Sequence, residues 1–282
     1  MTTQTPPKRV TVPELRARKS ATGSHCERIA ALTAYDFTIA RLLDQSGVDV
    51  ILVGDSLGMV VQGESTTLPV TLDHMVYHTR CVARGASRAL VVADLPFLSY
   101  QISLERAIES AGRLLKEGGA AAVKLEGGVA IADTVKRLVE LDIPVMGHVG
   151  MTPQSVHRMG GFKQQGRTHR DGDTFTPGSW EQVLEDAHAI EKAGAFSVVL
   201  EGVSSELAGR ITDELTIPTI GIAAGGRCDG EILVSYDLLG LTLDLCPPFV
   251  KHRAALGSDA IAAAKQFVES VHSTPRIAAV SA

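Results

Sequence analysis

Residues 121–128 read AAVKLEGG. Ala121, Ala122 and Val123 look like the start of a buried strand. Lys124 and Glu126 then follow two residues apart, with opposite charges. Strand side chains alternate between faces, so both point the same way. Along the length of a buried strand, isolated charges of this kind cost several kcal/mol each. At the C-terminal end of a strand in an α/β barrel they face an open mouth, which is where such folds place their chemistry.

Two other stretches share this design. Gly119 leads through AAAVKLE to Glu126, Gly194 leads through AFSVVLE to Glu201, and Gly47 leads through VDVILVGD to Asp55. In each, a glycine ends a helix, an apolar strand follows, and an acid closes the strand. ALVVAD ending in Asp94 and IPVMGH ending in His148 extend the series, and IPTIGIAAG and ERIAALTAY add strands without it. Their near-continuous apolar character suits a parallel sheet covered on both faces.

Helical patterns separate the strands. SLERAIESAGRLLKEGG places Leu104, Ala107, Ile108, Ala111, Leu114 and Leu115 on one stripe, with Ser103 to cap its start and Gly118 to end it. SWEQVLEDAHAIEKAG repeats this, with Ser179 and Gln182 as a capping box and Gly194 at the end. TVPELRARK carries a capping-box pattern from Thr11 to Glu14 and reads as a short helix ahead of the main fold.

The alternation amounts to about eight strand–helix units, the expectation for a (β/α)8 TIM barrel preceded by a short helix. A doubly wound open sheet uses the same alternation; length and repetition favour the barrel. No segment reads as a linker, so one domain spans 1–282, with an N-terminal extension at 1–25 and a flexible tail at 273–282. The polar stretch 163–178 reads as a long loop.

The chain has 282 residues, a net charge of −5 and 45% apolar residues, which suits a soluble globular protein. Mild acidity offers no footprint for nucleic acid. No apolar run reaches the roughly 20 residues of a membrane span, and the N-terminus lacks a signal core. The four cysteines, Cys26, Cys81, Cys228 and Cys246, form no CxxC pair and read as thiols in a reducing cytoplasm.

The acids at four strand ends carry the functional reading. Asp55 and Asp94 are hard oxygen ligands, a pair that suits Mg²⁺. The structural alternatives are an Asx-type turn for Asp55 and a helix cap for Asp94. Ser56 offers its hydroxyl or its backbone N–H. Lys124 serves as anchor for a substrate carboxylate, as partner of Glu126, or as both. His148 is a site histidine or a satisfied structural one. Glu201 has no cation beside it in sequence, and a carboxyl so placed holds a proton more readily and suits a general base. The glycine-rich GIAAGGRCDG at 221–230 reads first as tight turns and second as a phosphate loop; Lys163 and Arg167 in GGFKQQGR serve solubility or an anionic ligand.

With these residues in view, the sequence resembles the ketopantoate hydroxymethyltransferases of the phosphoenolpyruvate/pyruvate barrel superfamily. The matching segments are LTAYDF, LVGDSLGMV, TTLPVTLDHM, VVADLPF, AVKLEGG, GHVGMTPQSV, GGFKQQGR, LEGV, IPTIGIAAG and CDGEILVSYDLLGL, in family order. The resemblance implies a Mg²⁺-dependent transfer of a hydroxymethyl group from 5,10-methylenetetrahydrofolate to 3-methyl-2-oxobutanoate, for pantothenate synthesis. It implies Asp55 and Asp94 on the metal and Glu126 beside it, directly or through water. It implies Asp55, Ser56, Asp94 and Lys124 around the keto acid with His148 near, Glu201 as proton acceptor, and a cytoplasmic homo-oligomer, a decamer. The family's GIGAG reads GIAAG here, with Ala223 in place of glycine, and its KVQGR reads KQQGR. A carbon–carbon lyase or phosphonate mutase of the same superfamily shares the enolate chemistry, but no KKCGH-like cysteine loop is present. A non-catalytic metabolite-binding barrel would need no Glu201.

Overall fold

The computed structural model of the chain describes residues 8–19, 27–169, 176–243 and 247–274. Most of the expected extension and tail, the middle of the 163–178 loop, Cys26 and Cys246 lie outside these residues. The chain divides into two compact units, 1–233 and 234–282.

The first unit opens with helix α1 (Val12–Lys19) and then runs β1 (Ile29–Thr33), α2 (Phe37–Gln45), β2 (Val50–Val53), α3 (Leu57–Val60), α4 (Leu72–Gly85), β3 (Leu90–Asp94), α5 (Leu104–Lys116) and β4 (Ala122–Glu126). It continues through α6 (Ala132–Glu140), β5 (Val145–Gly150), α7 (Val156–Met159), α8 (Trp180–Lys192), β6 (Ser197–Glu201), α9 (Ser205–Glu214), β7 (Thr219–Ile222) and β8 (Gly230–Leu233). The eight strands close into a barrel in chain order, every pairing parallel. The barrel expectation holds. The eighth strand, GEIL, lies partly in what reads as a glycine-rich turn.

The three expected glycine stops hold for a physical reason: Gly47, Gly119 and Gly194 all have positive φ, at 88°, 80° and 97°, a region open to glycine and strained for other residues. Ser103 accepts from Arg106 N and caps α5; Leu104, expected in its apolar stripe, is instead exposed. At α8, Ser179 accepts from Gln182 N, but the box is only half formed, because Ser179 N donates to Thr176 O. At α1 the box closes, Thr11 N donating to Glu14 Oε2 at 3.0 Å.

The barrel interior places apolar residues below and charged ones above on the same inward face. Ala122 precedes Lys124 and Glu126, Met146 precedes His148, Val199 precedes Glu201, and Leu90 and Val92 precede Asp94. Val92, Ala122, Met146, Val199 and Leu15 of α1 share one buried cluster. Arg18 holds α1 to Asp49 through two bonds of 2.7 and 2.8 Å, and Lys19 reaches Asp229 at 2.9 Å. Along β1 and β8 the outward residues Ala30 and Glu231 are exposed.

Ala223, where the resembled family has glycine, sits at φ 50° just after β7. An L side chain in that region costs about 1–2 kcal/mol, partly offset by glycine's greater entropy loss, so Ala223→Gly is expected to stabilise by about 0.5–1 kcal/mol. Urea unfolding checks this; a destabilised variant would show that the strain is relieved by packing.

The second unit holds α10 (Ser235–Leu238) and α11 (Leu256–Ser273), with Ile261, Phe267, Val268 and Val271 of α11 exposed. Among the described residues no helix is long and apolar enough to cross a membrane.

Candidate active site

Strand register assembles the site. Asp94 pairs with Lys124, and two residues further along β4 Glu126 pairs with His148, so three strands bring these four residues together at their C-terminal ends. Glu201 ends β6 opposite Gly150. Asp55 and Ser56 follow Gly54 in the turn after β2, the one tight corner there: a Cβ on Gly54 would lie 2.7 Å from Ser56 Oγ. The sequence-predicted residues therefore converge, although they come from five strand ends.

Asp55, Asp94, Lys124, Glu126 and His148 are all buried. Lys124 Nζ is 2.9 Å from Asp94 Oδ1, 3.9 Å from Glu126 Oε1 and 3.2 Å from His148 Nδ1. Lys124 thus faces Asp94 more closely than its sequence neighbour Glu126. His148 Nδ1 lies 3.5 Å from Glu126 Oε1, and its Nε2 lies 3.1 Å from Glu201 Oε2. Glu201, without a cation beside it in sequence, has this imidazole beside it in space. Asp55 N donates to Asp94 Oδ2 at 3.1 Å.

The structural alternatives for the two aspartates do not hold. Asp94 caps no helix, since α5 begins ten residues later with Ser103 as its cap. The Asp55 carboxylate accepts from the Gln154 side chain. Ser56 opens α3 without a side-chain cap bond and pairs instead with Tyr35 Oη at 2.8 Å.

Burial dominates the electrostatics. It raises Asp55 well above the usual carboxylate range, with the charges of Glu126 and Asp94 adding to it. It also raises Asp94, against the pull of Lys124. Burial opposes the charge on Lys124, but Asp94, Glu126 and Asp55 overcome it and keep the ammonium charged. For Glu126 burial is outweighed by His148, Lys124 and the Gln154 N–H, and its pKa falls. His148 is disfavoured as a cation by burial and by Lys124, yet the carboxylates of Glu126 and Glu201 raise it to about 9.

The donor set fits a hard divalent cation. Asp94 Oδ1 is buried and, despite its 2.9 Å approach to Nζ, makes no aligned hydrogen bond. Asp55 and Asp94 are crowded acids whose repulsion a cation would relieve. Among the described residues no three His, Cys, Asp or Glu side chains form a ready cage. Two carboxylates are a donor number that Mg²⁺ uses while keeping several waters.

Sequence reading missed Gln154, in the 3-10 turn Pro153–Ser155 after β5. It is buried, and its Nε2 donates to Asp55 Oδ2 at 2.9 Å and to Leu95 O at 3.0 Å, while its backbone N donates to Glu126 Oε2 at 2.9 Å. The Tyr100 hydroxyl lies 2.9 Å from Gln154 Oε1 and 2.8 Å from Glu126 O. One residue thus fixes two acids from different strand ends, Asp55 through its side-chain amide and Glu126 through its backbone N–H. Gln154→Leu frees the Asp55 carboxylate and is expected to weaken Mg²⁺ binding roughly tenfold or more, the scale of losing an outer partner of a ligand. Titration calorimetry of the variant checks this, and wild-type affinity would remove the role.

The weaker candidates lie on connecting loops. Residues 223–229 connect β7 to β8. Lys163 and Arg167 are exposed, and Arg167 donates to Gln164 Oε1 at 2.7 Å.

Comparison with known proteins decides the family. Residues 9–275 match the family described as ketopantoate hydroxymethyltransferase. The chain belongs to this family. It is 53% identical over 271 residues to the 3-methyl-2-oxobutanoate hydroxymethyltransferase of Syntrophus aciditrophicus, covering 96% of this chain and 95% of the relative. It is 57% identical over 244 residues to that of Magnetococcus marinus, covering 86% and 87%. As a ketopantoate hydroxymethyltransferase family member, the chain is a transferase. Its barrel is shared more widely: a 2,3-dimethylmalate lyase, a PEP mutase/isocitrate lyase superfamily member, superposes with a TM-score of 0.58 at 18% identity, over 96% of this chain and 91% of that one. A phosphonopyruvate hydrolase solved with oxalate and Mg²⁺ gives 0.59 at 12% identity, over 93% and 86%.

Proposed function

We propose that this enzyme transfers a hydroxymethyl group from 5,10-methylenetetrahydrofolate to 3-methyl-2-oxobutanoate, giving ketopantoate for pantothenate synthesis. The observation that carries the reading is the buried group of Asp55, Asp94, Lys124 and Glu126 at the barrel mouth, with Glu201 beside it, in a chain so similar to transferases named for that keto acid.

Each residue has a task that its surroundings suit. Asp55 and Asp94 hold Mg²⁺, with Glu126 beside it directly or through water. Mg²⁺ supplies Lewis acidity that draws electrons from the keto acid and acidifies its C3–H. Lys124, kept charged among acids, neutralises the substrate carboxylate, and Ser56 and His148 line the keto acid. Glu201 removes the C3 proton, with the imidazole of His148 3.1 Å from its carboxylate. The enolate carbon then bonds to the methylene carbon, and both bonds from that carbon to folate nitrogens, N5 and N10, break. Water supplies the new hydroxyl oxygen, and tetrahydrofolate leaves with the remaining protons.

The test is ketopantoate formation from the two substrates with and without chelator. Product with Mg²⁺, lost on chelation and restored by re-addition, is expected; no product, or chelator-insensitive product, contradicts the reading. The same reading carries a cytoplasmic homo-oligomer, a decamer, and light scattering after size exclusion checks the assembly.

A further inference from the structure

A cavity of about 680 Å³ opens beside the acid cluster, with Tyr100, Glu126 and Gln154 in its inner wall. A five-carbon keto acid fills a small part of it, and pockets of roughly 300–1,000 Å³ hold drug-sized molecules. The far wall is the loop 127–131 and the first half of α8. There, apolar Val129 and Val183 flank Gln182 and Asp186. Asp186 Oδ1 accepts from Val129 N at 2.9 Å and from Gln182 Nε2 at 3.0 Å, which fixes the carboxylate. Its Oδ2 makes no hydrogen bond among the described residues. The loop approaches this closely because residue 128 is glycine: a Cβ there would lie 2.0 Å from Asp186 Oδ1. Burial, moreover, raises the proton affinity of Asp186, so a ligand donor at Oδ2 would meet a poorly solvated acceptor.

We propose that this cavity takes the 2-amino-4-oxopyrimidine ring of the one-carbon donor, and that Asp186 recognises it by accepting from the exocyclic amino group. Apolar walls suit the ring faces, a fixed carboxylate suits the amino edge, and continuity with Glu126 brings the donor's carbon to the keto acid. The proposal rests on the reading that a reduced folate is the donor.

The test is a chemical double cycle by direct binding: tetrahydrofolate and its 2-desamino analogue, each against the wild type and Asp186→Asn. Wild type is expected to lose roughly tenfold or more when the amino group is absent, the scale of a hydrogen bond to a charged group. Asp186→Asn is expected to lose as much with tetrahydrofolate and little more with the analogue, because the two changes remove the same contact. Keto-acid binding on the same samples reports that the variant is folded. Val129→Trp, which fills the cavity from an exposed loop position, is expected to weaken tetrahydrofolate independently. Additive losses, or full tetrahydrofolate affinity in both variants, would overturn the site while leaving the donor reading intact. No tetrahydrofolate binding by wild type would overturn both.

Discussion

Glu201→Gln is expected to lower turnover by at least ~100-fold, the usual scale of general-base catalysis. Glutamine keeps the size and one carbonyl oxygen of the side chain but cannot take a proton at neutral pH. The position lies at the end of β6, with its side chain only 16% exposed and 3.1 Å from His148 Nε2. It lies outside the group proposed to hold Mg²⁺, so keto-acid and Mg²⁺ affinities are expected to change little. A loss confined to kcat therefore separates a base from a binding residue. Steady-state ketopantoate formation measures it, and near-wild-type turnover would remove the assignment.

Asp94→Ala is expected to weaken Mg²⁺ binding by ~100-fold or more, because removing an outer-shell partner alone costs about 10–100-fold. The carboxylate does two things. Its Oδ1 faces Lys124 at 2.9 Å without an aligned hydrogen bond, and its Oδ2 accepts from Asp55 N at 3.1 Å. Losing it removes one proposed ligand and frees the turn that carries the other proposed ligand, Asp55. Breaking an isolated buried ion pair costs about 3–5 kcal/mol; here the loss is expected to be smaller, since removing one of three crowded acids relieves repulsion. Calorimetric titration with Mg²⁺, alongside the unfolding free energy, reads both effects. Unchanged metal affinity would argue against the ligand role.

Much of this was legible in the sequence, for identifiable reasons. The period-two alternation of AAVKLEGG put Lys124 and Glu126 on one face, and the glycine–strand–acid repeat marked the barrel mouth. Both signals are local, and local signals survive folding. β8 was harder because GEIL is short and carries the outward Glu231, so its surroundings read as glycine turns. Gln154 gave no signal of charge or periodicity. Its role exists only because the turn after β5 folds back over the ends of β2, β3 and β4. The pairing of His148 with Glu201 is likewise a product of neighbouring strands, invisible when the residues are read along the chain. Gln182 shows the same limit in small: the capping-box spacing was present, but the N–H of Ser179 that would close the box donates to Thr176 O.

The central claim is that Glu201 and a cation held by Asp55 and Asp94 together free the C3 proton of the keto acid. Deuterium exchange at C3 of 3-methyl-2-oxobutanoate, followed by NMR in D₂O without folate, tests it most directly. Exchange is expected with wild type and Mg²⁺, and is expected to vanish with chelator and with Glu201→Gln. Exchange that persists undiminished in Glu201→Gln, or its absence from a wild-type enzyme that makes ketopantoate, would contradict the claim.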